Sequence, residues 1–147
     1  MTLSGKKALV TGAAGGIGQA IVKALTDAGA AIAATDFQVE DILCNAAIPG
    51  DLTDPAHCDA LPAKAREALG GLDIVINNAG VIRRGVITDS TDDDYVQSMA
   101  VNVEAPFRIC RAAIPILAAN GGGAIVNVSD RKSTRLNSSQ TSISYAV

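Results

Sequence analysis

Shortly after its start the chain carries a glycine-rich octapeptide, Thr11-Gly12-Ala13-Ala14-Gly15-Gly16-Ile17-Gly18, set between two segments of different periodicity. Before it, Lys7 to Thr11 (KALVT) is a short apolar run of the kind that forms a strand buried on both faces. After it, Ile17, Ala20, Ile21, Ala24, Leu25 and Ala28 recur at helical spacing, and Gly29 supplies a C-terminal stop. A buried strand that turns at once into a helix points to a helix lying over a sheet. The glycines let the backbone bend tightly and approach a ligand, and the free NH groups and positive dipole end of the helix suit a pyrophosphate. Taken alone, the pattern fits a tight turn without a ligand equally well.

The same alternation continues downstream. Ala30 to Asp36 predicts a second strand, and Phe37 to Gly50 a loop with at most a helical turn. Ala46 to Asp51 predicts a short third strand. Asp54-Pro55 opens a helix in the cap-then-proline manner, with Pro62 putting its continuity in question. Leu72 to Asn77 (LDIVIN) predicts a fourth strand. Ser90 or Thr91 then caps a long helix with Asp92, Asp93 and Asp94 in its first turn, and Gly121-Gly122-Gly123 leads into a fifth strand, Ala124 to Val128. Strands alternating with helices imply an α/β fold, a Rossmann-like, doubly wound parallel sheet that stops after about five strands.

The glycine turn gains meaning from Asp36, eighteen residues beyond Gly18 at the end of the second strand. A carboxylate there can accept both hydroxyls of an adenosine ribose and repels a 2′-phosphate. Neither Gly15 nor Phe37 is the Arg or Lys that would welcome that phosphate, so the expected cofactor is NAD rather than NADP. A nucleoside-triphosphate loop is excluded because no Gly-Lys-Ser/Thr ends the turn.

Together, Thr-Gly-x-x-x-Gly-x-Gly at Thr11 to Gly18, Asp51-Leu52 after the third strand, Asn77-Asn78-Ala79-Gly80 after the fourth and Asn102 in the long helix resemble the short-chain dehydrogenase/reductases over residues 1–129. The resemblance implies hydride exchange between NAD and a small alcohol or carbonyl substrate. It implies cofactor contacts from Gly12, Gly16, Ile17 and Gly18 at the turn, from Asp36 at the ribose and from Asp51 and Leu52 at the adenine. Asn78, Ala79 and Gly80 would line the nicotinamide-side ribose. A homo-oligomer is implied for the full-length parent by the resemblance alone.

Asn102 also has a physical argument. Pro106, four residues on, has no NH to bond the carbonyl of residue 102, so the helix should kink and free that acceptor. A freed carbonyl could hold a water, matching the proton-relay role the family gives this asparagine, which makes Asn102 the catalytic candidate. An ordinary proline kink beside a polar residue is the alternative.

The family's remaining chemistry needs a serine after the fifth strand and a Tyr-x-x-x-Lys helix. Here Ser129 aligns with a small residue and Asp130 with the serine, and Tyr145 is followed only by Ala146 and Val147. Tyr145 reads as a tail residue rather than a catalytic one. From Asp130 the composition also changes: serine makes up five of the last eighteen residues against four of the first 129. Residues 130–147 resemble a translated sequencing-library adapter, so they are expected to be a non-native, disordered tail on an incomplete domain. A non-enzymatic NAD-binding module with a genuine tail is the competing function.

The remaining composition excludes other classes. A net charge of −3 argues against nucleic acid, and no apolar run is long enough for a membrane span. Cys44, Cys58 and Cys110 are odd in number and lack metal-ligand spacing, which fits reduced thiols; with no secretory signal at the start, a cytoplasmic location is expected. His57, the sole histidine, reads as solvent-facing in a polar turn and, with Cys58, is given no role. Arg83 and Arg84 read as surface arginines, with an acidic or sugar-like substrate as the alternative.

Overall fold

The computed structural model describes residues 2–83 and 85–129, together with the backbone of Tyr145–Ala146. Strand β1 (Lys7–Thr11) has no polar face to offer water, and Ala8, Leu9 and Val10 are wholly buried at the middle of the sheet. It pairs in parallel with β2 (Ala31–Thr35) on one side. The chain then adds β3 (Ala46–Ala47) beyond β2, crosses back to place β4 (Ile74–Asn77) on the other side of β1, and adds β5 (Ala124–Asn127) beyond it. All four pairings are parallel. The strand order therefore reverses beside β1, the place where open α/β sheets bind ligands beyond their carboxyl ends.

Period-two alternation divides the core between the two faces. Ala8 and Val10 of β1 and Ile32 and Ala34 of β2 pack with Val22 of α1 (Gly16–Asp27). Leu9 and Ala33 point the other way, into a larger core with Leu61 and Ala65 of α2 (Pro55–Leu69) and Ile109, Ala113 and Leu117 of α4 (Ala105–Ala119). This is the doubly wound arrangement expected.

Helix α2 starts where the sequence says it should: Asp54 accepts a 2.9 Å bond from the Ala56 amide, and the helix ends at Gly70, whose φ of +70° is left-handed. Pro62 does not interrupt it and is buried in its interior. The expected third strand is shorter than Ala46 to Asp51. Asn45 NH donates to Ile32 O and Ile48 NH to Ala34 O, so three residues advance against two, and Pro49 has no NH to restore the ladder.

The long helix also differs from expectation. Thr91 caps α3 (Asp92–Met99) through a reciprocal box with Asp94. A π-helical turn (Ala100–Glu104) then joins α3 to α4, with the Ala105 NH bonded to Ala100 O. Pro106 falls in the first turn of α4 directly after this turn, so the irregularity expected from its missing NH appears as one extra residue in the helix. Asn102 stands in this π turn.

Tyr145–Ala146 form a two-residue strand, β6, antiparallel to β5 with Ile125 opposite Tyr145, which departs from the expected tail tyrosine. The expectation of a disordered tail otherwise falls on residues 130–144 and 147, which lie outside the described residues.

Leu61 is fully buried where α2, α4 and the sheet meet. Leu61→Ala should lower stability by about 2–5 kcal/mol in urea unfolding with little change in the denaturant slope.

Candidate cofactor-binding site

The turn after β1 is built by contact as much as by flexibility. Gly12 has φ +64°, and a Cβ there would lie 2.7 Å from the Cα of Ala79, so only glycine lets the loops after β1 and β4 touch. At Gly18 a Cβ would run into the Gly12 carbonyl oxygen. Gly15 precedes α1 without a side-chain cap, no acid stands in the first turn, and the first helical bond is Gln19 NH to Gly15 O at 2.8 Å. Among the described residues nothing accepts from the amides of Gly16, Ile17 and Gly18. Three aligned donors at the positive end of a twelve-residue helix form a preorganised anion cradle.

Thr11, fully buried, is the hub of this arrangement. Its hydroxyl oxygen accepts the Asn78 amide at 3.1 Å and the Ala79 amide at 3.0 Å. The Asn78 Nδ2 donates back to the Thr11 carbonyl at 3.0 Å and the Gly12 carbonyl at 3.1 Å. Asn78 therefore borders the cleft, but its amide nitrogen is committed to holding the two loops together.

Asp36 follows β2 and reaches back across the turn. One carboxylate oxygen accepts the Ala14 amide at 2.9 Å and the other the Phe37 amide at 2.8 Å. Each oxygen keeps acceptor capacity for a further donor. Asp51 accepts the Thr53 amide at 2.7 Å, and Leu52 is buried in the larger core. Gly12, Gly16, Ile17, Gly18, Asp36, Asp51, Leu52, Asn78, Ala79 and Gly80 all line one cleft of about 390 Å³. Phe37, already weighed as a neighbour of the ribose, lines it too, as do Thr53, Val81, Gln97 and Val101, which were not foreseen. Phe37, Thr53 and Val81 directly follow predicted residues, while Gln97 and Val101 are one helical turn apart, a signal visible only once the long helix is placed over the cleft.

Asn102 lies in an adjoining depression of about 370 Å³ rather than in that cleft. Its side chain clasps the β4 loop: Oδ1 accepts the Val81 amide at 2.8 Å and Nδ2 donates to the Val81 carbonyl at 2.9 Å. Asn77, Cys110, Asn127 and Ser129 share the depression. Asn77 Nδ2 donates to Asn127 Oδ1 at 2.8 Å and to Cys110 Sγ at 3.3 Å, and burial pushes the Cys110 thiol above its ordinary pKa.

Other expectations resolve individually. His57 is not solvent-facing in a turn: it sits in the first turn of α2, half-buried, with its ring against Gly50. Cys58 is buried, donates to Leu52 O at 3.3 Å, and is pushed up to about 11 by that burial, which makes it inert as a nucleophile. Arg83 pairs with Asp94 at 3.4 Å, and Arg84 lies outside the described residues. Among the described residues no group of His, Cys, Asp and Glu is placed to hold a metal, and no helix is long and apolar enough to cross a membrane.

The sequence pattern that specifies this geometry matches the family model described as short chain dehydrogenase over residues 6–146. The chain belongs to the short-chain dehydrogenase family. It is 35% identical to an uncharacterised oxidoreductase of Thermotoga maritima, over 88% of this chain and 55% of that protein. It is 36% identical to a D-threitol dehydrogenase of Mycolicibacterium smegmatis, over 90% of this chain and 55% of that protein. A short-chain dehydrogenase from Burkholderia cenocepacia, solved in complex with NADP, superimposes with a TM-score of 0.84 at 36% identity, over 93% of this chain and 60% of that one. The chain thus spans about half the length of the curated relatives it matches. The Rossmann-like sheet and the reversal beside β1 are those of the short-chain dehydrogenases.

Thr11→Val keeps the volume but leaves the Asn78 and Ala79 amides without their acceptor. Thermal or urea unfolding should show a loss of about 1–3 kcal/mol for each amide left unpaired, and an unchanged midpoint would mean the hydroxyl does not hold the loops.

Proposed function

We propose that the chain binds a nicotinamide adenine dinucleotide, with NAD preferred over NADP, and that this half of the full-length oxidoreductase serves hydride transfer to or from a small alcohol or carbonyl substrate. The observation that carries the reading is the set of unpaired amides at Gly16, Ile17 and Gly18, at one end of a cleft that Asp36 and Asp51 also line. The cradle suits a pyrophosphate, and the Asp36 carboxylate, pinned by two backbone amides, suits vicinal ribose hydroxyls. A 2′-phosphate brought to that carboxylate would meet like charge. The NADP complex is a property of the Burkholderia relative; for this chain the preference rests on Asp36 and on Gly15 and Phe37 standing where an Arg or Lys would welcome the phosphate.

The bound nicotinamide ring would supply or accept the hydride. The chain's share is to hold the phosphates at the α1 amides, the adenosine ribose at Asp36 and the adenine beside Asp51 and Leu52. Asn102 fixes Val81 at the neighbouring wall, and its main-chain carbonyl is the proposed water-holding point of the proton relay.

A non-enzymatic dinucleotide-binding module is the second reading, favoured by one observation: Asp130 stands where the family's serine belongs. Residues 130–147 are proposed to be foreign to the gene, on their serine-rich composition and their likeness to an adapter. Independent amplification of the source gene past codon 129 decides this, since a downstream Tyr-x-x-x-Lys restores the enzyme and recovery of the same junction supports the module. The full-length protein is proposed to be a cytoplasmic homo-oligomer; exposed Val103 and Phe107 supply apolar surface for it.

Titrating the chain with NADH and NADPH, followed by fluorescence, tests the cofactor reading. NADH should bind more tightly, and Asp36→Asn should weaken NADH by about tenfold or more while narrowing the gap to NADPH. Equal affinity for both in the wild type overturns the preference, and no binding of either overturns the site.

A further inference from the structure

The wall of the cleft at Gly50, Asp51 and Leu52 rests largely on the N-terminus of α2. The Asp54 amide donates to the Asp51 carbonyl at 3.1 Å, and the Cys58 thiol to the Leu52 carbonyl at 3.3 Å. The Gly50 amide donates to the Asp36 carbonyl at 3.0 Å, which couples this wall to the ribose carboxylate. Beneath Gly50 lies the ring of His57: a Cβ on residue 50 would overlap all three of the ring atoms nearest to it, Cε1, Nε2 and Nδ1. The His57 Nε2 is buried and has no hydrogen-bond partner.

An unpartnered ring nitrogen in close contact with backbone tolerates a neutral imidazole and not a cation. A proton on Nε2 would set an N–H against the Gly50 backbone with no acceptor in reach, so the ring has to turn toward water, and Gly50 loses its support. We infer that His57 is a positioning residue for the dinucleotide cleft: neutral, it props the Gly50–Leu52 wall, and on protonation it withdraws and weakens binding of the adenosine half. The charged groups that act on the ring are Lys64 and Asp54 of α2 and Asp51 of the wall itself; among the described residues none from β1, β2, β3 or α4 joins them. Burial, followed by Lys64, holds the imidazole below its ordinary pKa, against the opposing pull of Asp54 and Asp51.

With the folded pKa depressed, the propped wall is complete above the ordinary histidine value of 6.5 and is lost progressively as pH falls through the folded value. No other histidine is present to imitate the effect.

This inference rests on the cleft being a dinucleotide site, so two readouts are needed. NADH affinity measured from pH 8 down to pH 5 should fall by about tenfold in the wild type and by less than about twofold in His57→Gln. In the ligand-free chain, the amide resonances of Gly50, Asp51 and Leu52 should titrate in step with the His57 ring. A flat wild-type profile, tighter binding in acid, or a slope that survives in His57→Gln overturns the inference while NADH binding at pH 8 leaves the cleft reading intact. If NADH does not bind at pH 8 but the three amides still follow the ring, the cofactor reading falls and the coupling stands. Amides indifferent to the ring titration overturn the coupling whatever the ligand result, and because this readout uses wild-type protein it does not depend on the variant folding.

Discussion

The close approach of the loops after β1 and β4 is the constraint on which the site depends. It consists of a glycine Cα at Gly12 pressed against Ala79, of the Asn78 and Ala79 amides donating to the Thr11 hydroxyl, and of the Asn78 side chain donating to the Thr11 and Gly12 carbonyls. These groups sit at the point where strand order reverses, so fixing them also fixes where the sheet opens. The start of α1 inherits its position from the same contact. Gly18 must pass over the Gly12 carbonyl, and the helix therefore begins with its amides facing the opening rather than a neighbouring side chain. Backbone placement, rather than any single charged residue, makes the cradle.

The two acids of the cleft reach it by different routes, and their environments differ accordingly. Asp36 ends a buried strand and is held by amides from the turn and from its own successor, so it is rigid without being buried. Asp51 stands on a wall whose support comes from α2, through Asp54, Cys58 and the His57 ring. The Asp36 end of the cleft is thus built on the sheet, whereas the Asp51 end is built largely on a helix terminus with an orphaned nitrogen beneath it. Sheet-borne geometry changes little without unfolding, but a helix N-terminus can shift locally.

The parts legible in the sequence were those set by short-range chemistry. The apolar run of β1, the glycine spacing, Asp36 and the Asp54-Pro55 cap each declare a local backbone state, and those states force the doubly wound sheet. The ten proposed cofactor residues converge on one cleft for that reason. What stayed illegible depended on distant partners. The half-burial of His57 follows from Gly50 arriving above it. The π turn at Asn102 depends on how α3 and α4 share a proline. The Asn78 side chain reads as a ligand contact until Thr11 and Gly12 are seen to claim its nitrogen. Gln97 and Val101 reach the cleft only because α3 and the π turn cross over it.

The most direct test of the account is amide NMR of the chain titrated with ADP-ribose, which offers the pyrophosphate and the adenosine ribose without the nicotinamide. The account predicts saturable shifts concentrated at Gly16, Ile17 and Gly18 and at the Ala14 and Phe37 amides that hold Asp36. Saturable shifts that leave those five amides unmoved, or no shifts at millimolar ligand, would contradict it.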